Sequence, residues 1–62
     1  MIEEYDLVAL THDIEVHRLK AGDVGTVLIV HEGGKAFVVE FMTNEGETIA
    51  LLTLYAEEVR PK

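Results

Sequence analysis

Residues 26–43 read TVLIVHEGGKAFVVEFMT, and this stretch decides the fold. A β-branched run from Thr26 to Val30 is separated by Gly33-Gly34 from a second β-rich run, Ala36 to Thr43. Two glycines between such runs predict a hairpin, because glycine adopts the positive φ angles that tight primed turns require. By the two-residue period of a strand, one face of the second run is expected to be buried, with the side chains of Phe37, Val39 and Phe41.

Three further strands are predicted, one before this hairpin and two after it. Residues 5–11 alternate in a way that favours a strand, and a fourth strand is predicted from Thr48 to Leu54. Val59-Arg60 forms a short closing strand, which Pro61 is expected to end because proline has no N–H. The segment between these last two strands, Tyr55–Glu58, fits one turn of 3₁₀ helix.

The segments that join the strands carry signals of their own. Residues 12–22 are long for a hairpin loop but contain apolar residues, so we expect them to fold back over the mouth of a barrel. Gly25 permits a bulge or a close backbone approach where a small sheet bends. A second turn is predicted at Asn44-Glu45-Gly46-Glu47.

These elements predict one small all-β domain over residues 1–62, in which a strongly bent sheet closes on itself as a five-stranded barrel. The main structural alternative is an amphipathic helix over residues 48–58, because Ile49, Leu52 and Tyr55 lie at helical spacing. The expected core consists of Val8, Leu10, Val27, Ile29, Phe37, Val39, Phe41, Leu51, Leu54 and Val59.

The charge of the chain narrows the choice of partners. There are 12 acidic and 5 basic residues, and the net charge is −7. Nucleic-acid binders neutralise phosphates with lysine and arginine, so we do not expect DNA, RNA or an anionic membrane as a partner. A basic protein fits this charge better. The start Met-Ile-Glu-Glu-Tyr-Asp lacks the features of a signal peptide, which predicts a cytoplasmic location.

Chemically reactive groups are scarce in this chain. There is no Cys and no Ser, and the hydroxyl groups belong to threonines and tyrosines. Because catalysis needs a nucleophile or an acid–base pair in a pocket, we expect no catalytic residue and no enzymatic activity. His12, Asp13, Glu15 and His17 share one loop, but their spacing is not that of a structural zinc site, so neither a metal ion nor a cofactor is predicted.

An acidic cluster near the start of the chain is the candidate binding surface, because no base precedes Arg18. Charge runs are usually solvated surface, and the functional interpretation is a patch that steers a basic partner. Homo-oligomerisation is the alternative, since small domains gain stability by association, with Leu28, Val30 and Leu52 expected to face outward. The candidate partner-binding residues are Glu3, Glu4, Asp6, Asp13, Glu15, Tyr5 and Tyr55.

Four segments together resemble a small bacterial family of uncharacterised stand-alone domains: Asp6–Leu10, Leu19–Val27, Val38–Phe41 and Glu58–Pro61. The signature reads L-K-x-G-x-x-G-T-V, followed later by a V-E-F strand, and the resemblance covers nearly the whole chain. It implies an SH3-like barrel without an established activity. Some members of that family lie near toxin-like genes, which implies an immunity or antitoxin role.

A more distant resemblance rests on Gly22–Val27. This segment is similar to the KOW-type element of ribosomal and transcription-elongation proteins, and to the SH3-like domain of the nitrile hydratase β subunit. KOW domains that contact RNA are typically basic, whereas this chain is acidic. The resemblance therefore implies the shape of the barrel, and nucleic-acid association is the third and weakest of the functions considered.

Overall fold

The computed structural model describes residues 1–43 and 45–62. Within these residues there are five strands: β1 (Leu7–Leu10), β2 (Val24–His31), β3 (Ala36–Met42), β4 (Thr48–Tyr55) and β5 (Val59–Pro61). All five pair antiparallel in one sheet of order β4-β3-β2-β1-β5. Two single 3₁₀ turns, Glu15–His17 and Ala56–Glu58, are the only helical segments of the described chain, and neither could cross a lipid bilayer.

The predicted all-β class is therefore confirmed, with five strands and a 3₁₀ turn before the last one. The helical alternative for residues 48–58 is wrong, because residues 48–55 form β4 and only Ala56–Glu58 make a 3₁₀ turn. Thr48 to Tyr55 are mostly β-branched, aromatic or leucine residues, which pack well on a pleated surface. Pairing with β3 along its whole length then outweighs the helical spacing.

The hydrophobic core takes side chains from all five strands, so the sheet has to curl around it. Leu19 from the long loop is also buried, and Ile14 packs against the core, which confirms that this segment folds back onto the sheet. Ala9 and Ala36 are buried as well, although sequence reasoning omitted them. The core cluster consists of Val8, Leu10, Leu19, Val27, Phe37, Val39, Phe41, Ala50, Leu54 and Val59.

The assignment of Ile29 to the core is wrong, because its side chain is 46% exposed. Val27 pairs with Val39, but Ile29 pairs with Val38, so the register shifts at Leu28. One extra residue in a strand reverses the faces that follow it. Ile29 consequently points outward, while Val30, which was expected to face outward, packs against the core.

The assignment of Leu51 to the core is also wrong, because its side chain is 58% exposed. Leu51 lies opposite Glu40 on the outer face of the sheet, whereas its neighbour Leu52, which was expected to face outward, packs against the core. Side chains an odd number of positions apart in a strand point to opposite faces, so Leu51 and Leu54 cannot both face the core. The inner face of β4 is instead formed by Ala50, Leu52 and Leu54.

The predicted hairpin between β2 and β3 is confirmed, with a loop of residues 32–35. Glu32, Gly33 and Gly34 all have positive φ angles, of 50°, 69° and 105°. The His31 carbonyl accepts hydrogen bonds from the N–H groups of Gly34 and Lys35. Glycine is needed at two of these positions because a Cβ atom disfavours the left-handed region.

Gly25 confirms the expected close approach of the backbone. A Cβ atom at this position would lie 2.6 Å from Val39 Cγ1 and 2.9 Å from Phe41 Cε1. It would also lie 3.0 Å from the Glu40 carbonyl oxygen, which belongs to the backbone of β3. The side chains of β3 thus pack directly over the glycine, and this contact fixes how closely β2 lies against the core.

Two smaller predictions concern the ends of strands. The turn after β3 is present, since the Gly46 N–H donates to the Thr43 carbonyl; Asn44, its first predicted residue, lies outside the described residues. The expectation that Pro61 ends the pairing is wrong, because Pro61 pairs with Val8 and the Lys62 N–H donates to the Leu7 carbonyl. Proline fits there because β5 is an edge strand and its missing N–H faces away from β1.

Candidate functional site

The five acids of the candidate surface form two separate groups. Glu3, Glu4 and Asp6 precede β1, and Asp13 and Glu15 follow it. An extended strand rises about 3.3 Å per residue, so the four residues of β1 place roughly 13 Å of backbone between the two groups. This exceeds the Debye length of about 8 Å at physiological ionic strength. The structure therefore does not bring them together as one patch.

The group before β1 lies in a tight turn. The Asp6 carboxylate accepts a hydrogen bond from the Glu3 N–H at 2.9 Å, and the Asp6 N–H donates to the Glu3 carbonyl at 3.1 Å. Tyr5 adopts a left-handed φ of 69°, and its N–H donates to the Val27 carbonyl. The side chain of Tyr5 is thereby left exposed, while the carboxylate of Asp6 is already used to hold the turn.

Asp13 also has a structural role. Its Oδ1 accepts a hydrogen bond from the Ala21 N–H at 2.8 Å, which connects the two ends of the long loop. Inside this loop, Ile14 and Leu19 form an isolated antiparallel bridge. Glu15 lies in the first 3₁₀ turn and is exposed to solvent. Of the two loop acids, Glu15 is therefore the one available to a partner.

A contact between the long loop and the second 3₁₀ turn is formed by Thr11 and His12 with Glu57 and Glu58. We call it the loop–turn contact. The Thr11 N–H donates to the Glu58 carbonyl at 2.9 Å, and the Thr11 hydroxyl donates to the Glu57 carbonyl at 3.0 Å. His12 Nε2 lies 3.1 Å from Glu58 Oε1. The other carboxylate oxygen of Glu58 accepts from the Tyr55 N–H.

The imidazole of His12 is held between two acceptors. Its Nδ1 lies 2.8 Å from the Asp13 carbonyl oxygen, and its Nε2 faces the Glu58 carboxylate. Only the protonated ring can donate to both at once. The Asp13 carbonyl and, after it, the Glu58 carboxylate therefore raise the pKa of His12 above its usual value of 6.5. Sequence reasoning missed this contact, because nothing local links two residues so far apart in the chain.

The structure also contains an open groove where the start of β2 meets the end of β3 and the start of β4. It has a volume of about 280 Å³. Buried Leu19 and Phe41 form its floor, and partly exposed apolar side chains form its walls. Asp23 is the one charged residue in the lining, and its Oδ2 accepts from the Lys20 N–H. The lining residues are Leu19, Asp23, Val24, Phe41, Met42 and Ile49.

The groove contains none of the seven candidate partner-binding residues. Tyr5 precedes β1 and Tyr55 ends β4 opposite Ala36, and neither tyrosine lines the groove. Sequence reasoning missed the groove because its walls come from separate segments, and the outward direction of Ile49 and Met42 depends on the register shift between β3 and β4. In the described ranges, no three His, Asp or Glu side chains come together in an arrangement suited to a metal ion.

The chain belongs to the family described as a domain of unknown function, DUF4926, whose model matches residues 4–61. This agrees with the resemblance to an uncharacterised family of small domains. No curated protein and no solved structure matches the chain significantly.

Proposed function

We propose that this protein is a protein-binding or regulatory module, and that it receives an apolar side chain of a basic partner segment in the groove at the start of β2. The observation that carries this proposal is the groove itself. It joins a buried floor of Leu19 and Phe41 to the half-exposed side chains of Met42 and Ile49, on a molecule whose charge is otherwise strongly acidic. Clefts with apolar walls and a few polar groups are the usual form of a binding site.

Electrostatics support a basic partner. The net charge is −7, and in the part of the chain that the structure describes the one ion pair is His12 with Glu58. Most carboxylates therefore contribute to a negative field that accelerates the approach of a basic surface. Asp23 places one carboxylate at the groove itself. We assign the main steering role to Glu3, Glu4 and Glu15, whose carboxylates are exposed.

A module of this kind suits an immunity or antitoxin role, in which it covers the basic surface of a toxic enzyme. The acidic charge supports this role for a toxic enzyme that acts on nucleic acid. The surface with which such an enzyme binds nucleic acid is basic, and an acidic module is complementary to it. The absence of Ser and Cys from the sequence supports action by binding and not by catalysis. We also assign the curled sheet to the SH3-like class, which its strand order and the 3₁₀ turn before β5 support.

Capture experiments with matched variants test this proposal. Met42 and Ile29 are both 46% exposed, but only Met42 lines the groove. We expect M42Q to lose the partner that the wild type captures from its native lysate, and I29Q to retain it, because only Met42 lines the groove. Neither substitution alters the charge, so the two variants form a matched pair. The captured protein should be basic, and its recovery should fall as salt is raised.

Two results would count against the proposal. Equal recovery of every protein by M42Q and the wild type would exclude the groove. Recovery that does not change with salt would exclude steering by the acidic surface. A gel-shift measurement at low salt tests the KOW-like alternative, and measurable affinity for DNA or RNA would favour that function instead.

A further inference from the structure

β4 forms one edge of the five-stranded sheet. The Ala56 N–H donates to the Lys35 carbonyl at 2.9 Å, which fixes the pattern of hydrogen bonds between β3 and β4. Hydrogen-bonded and non-hydrogen-bonded pairs alternate in an antiparallel ladder, so Leu52 and Leu54 direct their backbone groups toward β3. Leu51 and Thr53 therefore direct their N–H and C=O groups away from the sheet. Within residues 1–43 and 45–62, β4 pairs with β3 alone.

The edge of β4 lacks the features that usually protect such strands. From Thr48 to Ala56 there is no charged residue and no proline, and this is the longest uncharged stretch in the chain. The opposite edge, β5, is short and carries Arg60, Pro61 and then Lys62. Short edges, charges and prolines are the devices that prevent strands from pairing between molecules. The sheet has them on one edge only.

We propose that two copies of this chain pair through β4, edge to edge and antiparallel, so that their sheets continue across a twofold axis. Antiparallel pairing is self-complementary, because the same strand edge serves both copies in an isologous contact. Leu51 and Thr53 of each copy then supply the hydrogen bonds that join the two strands. With each copy at −7, a self-contact has to avoid carboxylates, and the uncharged stretch of β4 meets that requirement.

The charges at the ends of β4 set how this dimer responds to salt. Glu47 precedes the strand and Glu57 follows it, and antiparallel pairing brings the beginning of one strand toward the end of the other. Like charges therefore meet at both ends of the contact. Screening by salt should strengthen the dimer, whereas binding of a basic partner at the groove weakens as salt rises. The two proposals thus predict opposite responses.

The size of the contact sets its strength. A standard interface buries about 800 Å² on each partner, and the accessible surface of the whole chain is 4299 Å². A single strand edge is smaller than a standard interface, so we expect a weak dimer that forms at high protein concentration.

Sedimentation equilibrium of the purified full chain tests this directly, at about 50 mM and about 500 mM NaCl. We expect a dimer whose dissociation constant falls at the higher salt concentration. T53P removes an N–H that no strand of the monomer uses, and should weaken the dimer by about tenfold or more. T53V keeps that N–H and the strand propensity, and should leave the dimer intact. L51K introduces a charge at the same edge and should also weaken the dimer, which keeps the test valid if T53P does not fold.

Three results would overturn the proposal: a wild-type monomer at high concentration and high salt, a dimer that persists in both T53P and L51K, or a dimer that weakens with salt. A wild-type monomer whose partner capture is lost in T53P and kept in T53V would assign the edge to a strand of another protein. M42Q should dimerise normally, because Met42 lies on β3 and not on the edge. Failure of the groove proposal can therefore be separated from failure of the dimer.

Discussion

The packing beneath Gly25 and the loop–turn contact hold the chain together by different means. Beneath Gly25, Val39 and Phe41 are almost fully buried, and the backbone of β2 lies directly against them. In the loop–turn contact, the side chains of Thr11 and His12 are exposed and are held by hydrogen bonds to the second 3₁₀ turn. The first region depends on exclusion of water and on exact fit, whereas the second is open to solvent and responds to pH. We therefore expect the stability of the fold to depend mainly on the first region, and its smaller changes with pH to depend on the second.

The largest effect should come from opening a cavity in the first region. F41A removes a side chain that is among the largest of the fully buried ones. Truncation of a buried phenylalanine costs about 3–5 kcal/mol, which is a large share of the stability of a small domain. Denaturant unfolding followed by circular dichroism should find F41A largely unfolded. L51A removes an exposed side chain and should remain within about 0.5 kcal/mol of the wild type.

A smaller loss is expected when the same region is overfilled. In G25A, the new Cβ atom would meet Val39 Cγ1, Phe41 Cε1 and the backbone oxygen of Glu40. Overpacking typically costs about 1–3 kcal/mol, and we expect the upper end because a backbone atom is among the obstacles. The double variant G25A/V39A should lose less than the sum of the two single variants. Strict additivity would show that the glycine does not pack against Val39.

In the loop–turn contact, T11V keeps the shape of the side chain and removes its hydroxyl. The hydrogen bond to the Glu57 carbonyl is lost, while the backbone hydrogen bond of Thr11 remains. A hydrogen bond contributes about 0.5–1.5 kcal/mol, and solvent exposure places this one at the lower end. Thermal unfolding should detect a small decrease. A loss as large as that of G25A would contradict the difference drawn between the two regions.

The smallest effect should be the pH dependence of His12. The Asp13 carbonyl and the Glu58 carboxylate raise its pKa in the folded chain, so folding favours the protonated ring. This contribution is complete below the pKa of the unfolded chain, about 6.5, and is lost as pH rises through the folded value. Melting temperatures measured across that range should fall more steeply for the wild type than for H12Q. Parallel curves would contradict the role assigned to His12.

The sequence predicted those features that depend on neighbouring residues. The alternation of Phe37, Val39 and Phe41 placed β3 and its buried face correctly, and Gly33-Gly34 placed the hairpin. Ile29 was misplaced because the extra residue at Leu28 leaves no local sign of its own, and the same register decides that Val30 faces inward.

Functional features were harder to predict because they join distant segments. The candidate acids all lie between residues 3 and 15, yet β1 separates them in space, and two of them, Asp6 and Asp13, hold turns. The contact of His12 with Glu58 and the groove that Met42 lines both arise from how the strands are arranged. Neither has a signature in any short stretch of the chain.

The pairing of β1 with β5 has a consequence for the order of folding. Val8 and Pro61 are paired although about fifty residues separate them, whereas the β2–β3 and β3–β4 ladders each close a short loop. Closing a long loop costs more entropy, so the three-stranded meander should assemble first and the β1–β5 ladder last. In native-state hydrogen exchange, the amides of Thr11 and Lys62, which bond across that ladder, should exchange faster than those of β3. The β1–β5 ladder should therefore be the last to form, and local opening of the native state should begin there.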